Sequence, residues 1–148
     1  MKTILDAATR EELIRRIHAL TETSPRQWGT MTPYQMAKHC TLWEEMTQGR
    51  NNAYKRSFIG RLIGPMVLKA VLKDDKPIKR NSPTVSGFKV GDTGDLSQQK
   101  QQWITSIEGY AHFSNPNFVH PFFGKMTKEQ VGQLAYKHDD HHLRQFNI

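Results

Sequence analysis

Thr127-Lys128-Glu129-Gln130-Val131-Gly132-Gln133-Leu134-Ala135-Tyr136-Lys137-His138-Asp139-Asp140-His141-His142-Leu143 reads as a helix that carries its own start signal. Thr127 stands at the cap and Gln130 three residues on, the reciprocal pairing of a capping box, with Met126 and Val131 at the staple positions. Counted at about 100° per residue, Val131, Leu134, Ala135, His138 and His142 fall on one stripe, with His141 at its edge. His138 and His142 are four residues apart, so both imidazoles leave the same face one turn from each other. Histidine on an apolar stripe is often a hydrogen-bonded core residue. A bound divalent metal is the sharper alternative, and it requires a third ligand.

Other helices announce themselves in the same way. Thr32-Pro33-Tyr34-Gln35 has Thr at the cap, Pro at the first helical position and Gln at the third, with Met31 and Met36 as the staple pair. Its inward stripe is Met36, His39, Cys40, Trp43, Met46 and Thr47. Thr9-Arg10-Glu11-Glu12 matches a capping box before Leu13, Ile14, Ile17 and Leu20, and Ser24-Pro25 is expected to end that helix. A further helix is expected from Asp95 or Leu96 to about His112, burying Leu96, Trp103, Ile104, Ile107, Tyr110 and Ala111. Gly64-Pro65 is expected to open a short helix through Leu72. Residues 74–94 read as loop, with two short strand-prone pieces at 83–85 and 88–90. An excursion of this length covers a pocket, joins a dimer interface or is partly disordered, and the sequence leaves these open. The expectation is an all-α fold, one domain over residues 1–148: a four-helix bundle with a long crossover between the second and third main helices.

His39 supplies the third point. It lies on the inward side of its helix, and bundle sites are built from side chains on facing helices. His39, His138 and His142 would give three nitrogens and leave a position open for water or substrate, the pattern of a catalytic site. Cys40 lies about 100° round the helix from His39 and reads as a small buried hydrophobe. Asp139 could hold a ligand imidazole, but it and Asp140 read better as solvated, and His18 and His112 read as structural or exposed. Tyr34, Glu44, His120 and His141 are the candidates for acid–base or pocket roles around the site.

The chain of 148 residues is 36% apolar and carries a net charge of +7, with a pI near 9.7. The cations are spread out, densest from Lys69 to Arg80, with no helix-turn-helix, zinc-finger or RNA-binding signature. Nucleic-acid binding through Lys69, Lys73, Lys76, Lys79 and Arg80 is therefore the weakest functional reading. The one cysteine allows no internal disulfide. No signal peptide is legible, and the most apolar stretch, Phe58 to Leu72, is too broken to span a bilayer. A cytoplasmic protein without a membrane partner is expected.

The run Trp28-Gly29-x-Met31-Thr32-Pro33-x-Gln35-Met36-x-x-His39-Cys40, together with His138-x-x-x-His142-Leu143-Arg144-Gln145-Phe146, resembles the DinB/YfiT-like superfamily, more narrowly an uncharacterised branch of it. His120-Pro121-Phe122-Phe123-Gly124-Lys125-Met126-Thr127 and Tyr136-Lys137-His138 match that branch too. The resemblance covers essentially the whole chain, with little contribution from residues 51–94. It implies a four-helix bundle holding a divalent metal, nickel or zinc, on three histidines that map to His39, His138 and His142. It further implies small-molecule chemistry with a low-molecular-weight thiol or water, as transfer, isomerisation or hydrolysis, and leaves a homodimer open. The alternative is a bundle that holds metal or ligand without catalysis, as a sensor or carrier.

Overall fold

In a computed structural model, residues 1–51, 54–83 and 86–148 are described. Among them are five α-helices: α1 (Ala7–Ala19), α2 (Pro33–Thr47), α3 (Phe58–Val71), α4 (Leu96–Glu108) and α5 (Lys128–Gln145). A small antiparallel pair joins β1 (Val119–His120) to β2 (Gly124–Lys125), with Val119 opposite Lys125 and His120 opposite Gly124. No helix among the described residues is long and apolar enough to cross a membrane.

Both strong start signals form as read. Thr32 and Gln35 exchange side-chain and backbone hydrogen bonds, and so do Thr127 and Gln130. Asp95 caps α4, its Oδ1 accepting from the Gln98 N–H at 2.7 Å. That helix tightens into a 3₁₀ turn at Gly109–His112, so the expected stretch to His112 is helical but changes type.

The first helix differs from expectation. Its cap is Asp6, Thr9 lies inside the first turns, and Glu12 pairs with Lys2 instead of closing a capping box. It stops at Ala19, before Ser24, because Lys100 of α4 donates to the carbonyls of His18 and Leu20. A local turn follows in which the Thr21 N–H donates to Ser24 Oγ at 3.0 Å.

The third helix also begins earlier than expected. Ser57 caps it by accepting from the Gly60 N–H at 3.1 Å, and Pro65 lies within the helix, not at its start. Gly60, Gly64 and Leu68 face the protein. A Cβ at Gly64 would lie 2.0 Å from the Phe122 carbonyl oxygen, so only glycine lets α3 approach the hairpin loop this closely.

Of the two strand-prone pieces, residues 84–85 lie outside the described residues. Phe88 ends a 3₁₀ turn, Ser86–Phe88, and is buried. Its ring has a better partner in Tyr54, stacked at 4.1 Å, than a neighbouring strand would provide.

Helices α1, α2, α4 and α5 contact one another in a closed ring, α1–α4–α2–α5 and back to α1. Leu13 and Ile17 of α1, Met36 and Cys40 of α2, Trp103 and Ile107 of α4, and Val131, Ala135 and Leu143 of α5 fill its interior. Each large apolar side chain fully buried here contributes about 2 kcal/mol by transfer from water. The N-terminal segment is tied on by the Ile4 N–H donating to the Gly132 carbonyl at 3.1 Å. The contact between α2 and α5 positions the histidines.

Candidate metal centre

His39 comes from the second turn of α2, and His138 and His142 come from successive turns of α5. Their ring centroids form a triangle of 5.1 Å (His39–His138), 4.7 Å (His39–His142) and 4.7 Å (His138–His142). One nitrogen from each lies within 4.8 Å of the other two. His39 Nε2 and His138 Nε2 are 3.1 Å apart. That separation is matched by two metal–nitrogen bonds of about 2.1 Å meeting at roughly 95°.

The far side of each ring decides its tautomer. His39 Nδ1 lies 2.9 Å from the Phe88 carbonyl oxygen, which can only accept, so Nδ1 carries the proton and Nε2 the lone pair. Gln145 Nε2 donates to the Trp28 carbonyl at 2.9 Å, which turns its Oε1 toward His142 Nδ1 at 3.0 Å. His142 therefore also holds its proton on Nδ1. Gln145 reaches Trp28 across Gly29, where φ is +75° and a Cβ would lie 2.5 Å from the amide nitrogen. His138 is stacked on Trp43 at 4.8 Å, and its Nδ1 has no hydrogen bond. The contact with His39 then requires a proton on His138 Nε2, which must leave before a cation can bind both nitrogens.

Burial holds all three rings below the usual histidine pKa. For His39 the bond to Phe88 opposes the shift in part. His138 and His142 are driven further down, by burial first and by the neighbouring imidazoles second. The three are therefore neutral near pH 7, the state a metal requires of its ligands.

A second group of donors adjoins the first: Cys40, His138 and Asp139 also lie within 4.8 Å of one another. Cys40 thus groups with Asp139 and not with His39, as its angular offset on α2 predicts. Burial raises its thiol well above the ordinary range, which keeps it protonated. Asp139 and Asp140 correct the sequence reading, since neither is solvated. Asp139 is fully buried, 3.8 Å from His138 Nδ1 and facing Glu44 and Trp103. Glu44 accepts a hydrogen bond from the Tyr110 hydroxyl. Burial raises both carboxyls, and the Asp139 charge raises Glu44 further, so the pair holds at least one proton near neutrality. Asp140 bonds Arg16 at 2.8 Å and Arg144 at 2.7 Å. A one-stripe reading misses both because the second half of α5 is buried almost all round.

The other candidates are dispersed. His141 stands beside His142 at 5.1 Å, its Nδ1 on the Ile78 carbonyl at 3.2 Å and its ring against Trp28. Glu44 sits behind Asp139, a layer away from the three nitrogens. His120 is buried between Trp43 and Phe123, and its Nδ1 accepts from the N–H groups of Phe122 and Phe123, each at 3.1 Å. It works as a turn residue. Tyr34 packs near Lys38 and Gly94, apart from the histidines. His18 and His112 are exposed. The excursion between α3 and α4 has a defined role here: Phe88 and Ile78 supply the carbonyls that orient His39 and His141. No sequence pattern marks those two carbonyls.

The chain belongs to the DUF1569 family, described as proteins of unknown function, whose model matches residues 2–148. No curated protein and no solved structure matched the chain.

Proposed function

We propose that this DUF1569 member is a divalent-metal-dependent enzyme of small-molecule chemistry, with His39, His138 and His142 as the metal ligands. Under this proposal residues 1–148 form one DinB-like four-helix bundle of α1, α2, α4 and α5, with α3 and the following loop as the crossover. The observation that carries the reading is the pair of fixed tautomers: His39 and His142 each spend Nδ1 on a protein acceptor, which leaves Nε2 with the lone pair, and one nitrogen of each of the three rings lies within 4.8 Å of the others. Metal-binding histidines are held in this way, with the second nitrogen on a carbonyl, an amide or a carboxylate.

A nickel or zinc ion held there would lower the pKa of a bound low-molecular-weight thiol or water toward neutrality. The protein's part is to present three neutral nitrogens and to take up the proton that leaves His138 Nε2. It also screens the rings from bulk water, with Trp43 against His138 and Phe88 against His39. Protein purified without chelator should contain close to one metal per chain, and His142→Ala should lose it. Full occupancy in that variant would refute the ligand set.

One observation favours a non-catalytic holder: among the described residues none of Tyr34, Glu44 or His120 bonds the three nitrogens, and His141, beside His142, spends its Nδ1 on the Ile78 carbonyl. Cobalt substitution separates the readings. A visible spectrum that shifts on adding a small thiol indicates an open, reactive position, and an unresponsive spectrum indicates a closed one.

A further inference from the structure

Helix α3 is inside out. On a helix that packs on a globular body, the large apolar residues face in and the small or polar ones face out. Here Gly60, Gly64 and Leu68 face the protein, while Phe58, Ile59, Leu62, Ile63 and Met66 face away with exposures of 75, 60, 70, 39 and 67%. These are five of the seven large hydrophobic residues exposed among the described residues. They recur at the spacing of one helical face, so they form a continuous patch and not scattered exposure.

The charge around the patch has one sign. From Met46 to Lys73 the sequence holds no Asp or Glu. Lys55, Arg56, Arg61, Lys69 and Lys73 are all exposed, and none forms an ion pair among the described residues. Lys69 projects close to the apolar sector, where its stem can lie on the patch and its ammonium can reach outward.

We infer that α3 is a docking helix for the surface of a bilayer containing anionic phospholipid, lying in the interface with Phe58, Leu62 and Met66 inserted and the cations on the headgroups. An apolar face combined with a cationic edge is the make-up of an interfacial helix. A second copy fits the same face poorly, because a symmetric pairing would bring two acid-free cationic edges together. A span is excluded by length, since 14 residues rise about 21 Å against a hydrocarbon core of about 30 Å. The expectation of no membrane partner rests on the missing span and on cations that are spread along the sequence, and this helix instead sets an apolar face beside cations. The body stays clear of the lipid face: Lys137 of α5 donates to the carbonyls of Val71 and Asp74 at 2.7 and 2.6 Å, anchoring the end of α3 from its inner side.

The test is sedimentation of the full chain with vesicles of phosphatidylcholine alone and with about a third phosphatidylglycerol. The expected result is binding to the anionic vesicles only, weakened by salt. Leu62→Ser with Met66→Ser keeps the net charge and should reduce partitioning at least tenfold. Lys55→Gln, Arg56→Gln and Arg61→Gln together should reduce it about a hundredfold, at about fivefold per cation. A remote pair of changes on exposed cations away from α3, Arg15→Gln with Arg26→Gln, should change it far less. In Leu62→Trp the emission should shift to the blue on anionic vesicles. Absence of binding at low salt overturns the inference. So does equal weakening by the remote pair with no blue shift, which would mean bulk charge attraction. A dimer that Leu62→Ser with Met66→Ser converts to monomer would also overturn it, by assigning the face to a second copy.

Discussion

Acidification should unfold this protein through histidines it buries in the neutral form, and His120 allows the magnitude to be worked out. Its Nδ1 accepts two backbone N–H groups at 3.1 Å, so a proton on that nitrogen would remove both bonds from the turn before β2. Burial lowers its pKa from 6.5 to about 4. The sign follows from linkage: below pH 6.5 the unfolded chain takes up this proton, and the folded chain declines it until about pH 4. Stability is therefore unaffected above pH 6.5 and falls by up to 1.36 kcal/mol per pH unit below it, about 3 kcal/mol in total by pH 4. His120→Asn isolates the effect, because an Asn side-chain oxygen can accept the same two N–H groups in an Asx turn and does not titrate. The variant loses the ring packed on Trp43 and Phe123, which should cost about 2 kcal/mol at pH 7. Urea unfolding of both proteins, with chelator present to remove any metal contribution, should show that gap closing as pH falls below 6.5, vanishing at about pH 5 and reversed by about pH 4. A gap that stays constant within about 0.5 kcal/mol would refute the reasoning, and with it the neutral His120.

Two further outcomes follow from contacts around the proposed centre and under α3. Gln145→Leu removes the acceptor on His142 Nδ1 and should weaken metal binding about 10–100-fold in competition with a chromophoric chelator, while leaving the stoichiometry at saturation unchanged. Unaltered affinity would mean that this amide does not orient the ring. Gly64→Ala drives a Cβ into the Phe122 carbonyl and should cost at least about 2 kcal/mol, read as a lower urea midpoint. Ala at Gly91, where nothing lies within 4 Å of the added carbon, should be neutral or slightly stabilising.

What could be read from the chain divides along the range of the interactions. The capping boxes at Thr32–Gln35 and Thr127–Gln130 are legible because both partners sit within one helical turn. The inward placement of His39, His138 and His142 is legible for a similar reason: a stripe is a periodic property of one helix. The Thr9–Glu12 box fails because Lys2, ten residues from Glu12, competes for its carboxylate. The end of α1 is invisible because the group that stops it, Lys100, is some eighty residues away. Ser57 is a readable cap, yet Pro65 is the louder start signal, and the close approach of Gly60 and Gly64 to Phe122 holds the proline inside the helix. Asp139 is the most consequential miss. One helix presents one stripe to a single-sided reading, but α5 packs on α2, on α1 and on the loop after α3, so residues off the stripe are buried as well.

The buried acids are the part of this interior that stability alone does not explain. Glu44 Oε1 and both oxygens of Asp139 lack hydrogen bonds of normal geometry, as does Trp103 Nε1 beside them. Each such group costs about 1–3 kcal/mol, and an apolar residue in either place would remove that cost. Packing would favour the replacement, because buried Cys40 and Trp103 already stand beside these carboxyls. The carboxyls instead stand beside His138 Nδ1, a buried ring nitrogen without a hydrogen bond. His39 is oriented by a backbone carbonyl and His142 by an amide, and both leave Nε2 with a lone pair. For His138 to do the same, its proton must move from Nε2 to Nδ1, and Nδ1 then needs an acceptor. Among the described residues Asp139 is the acidic side chain nearest that nitrogen, at 3.8 Å, and Glu44, held by Tyr110, lies beside it. The pair is thus placed where a shift of one proton would convert His138 from a hydrogen-bond donor to His39 into the third ligand of the proposed centre.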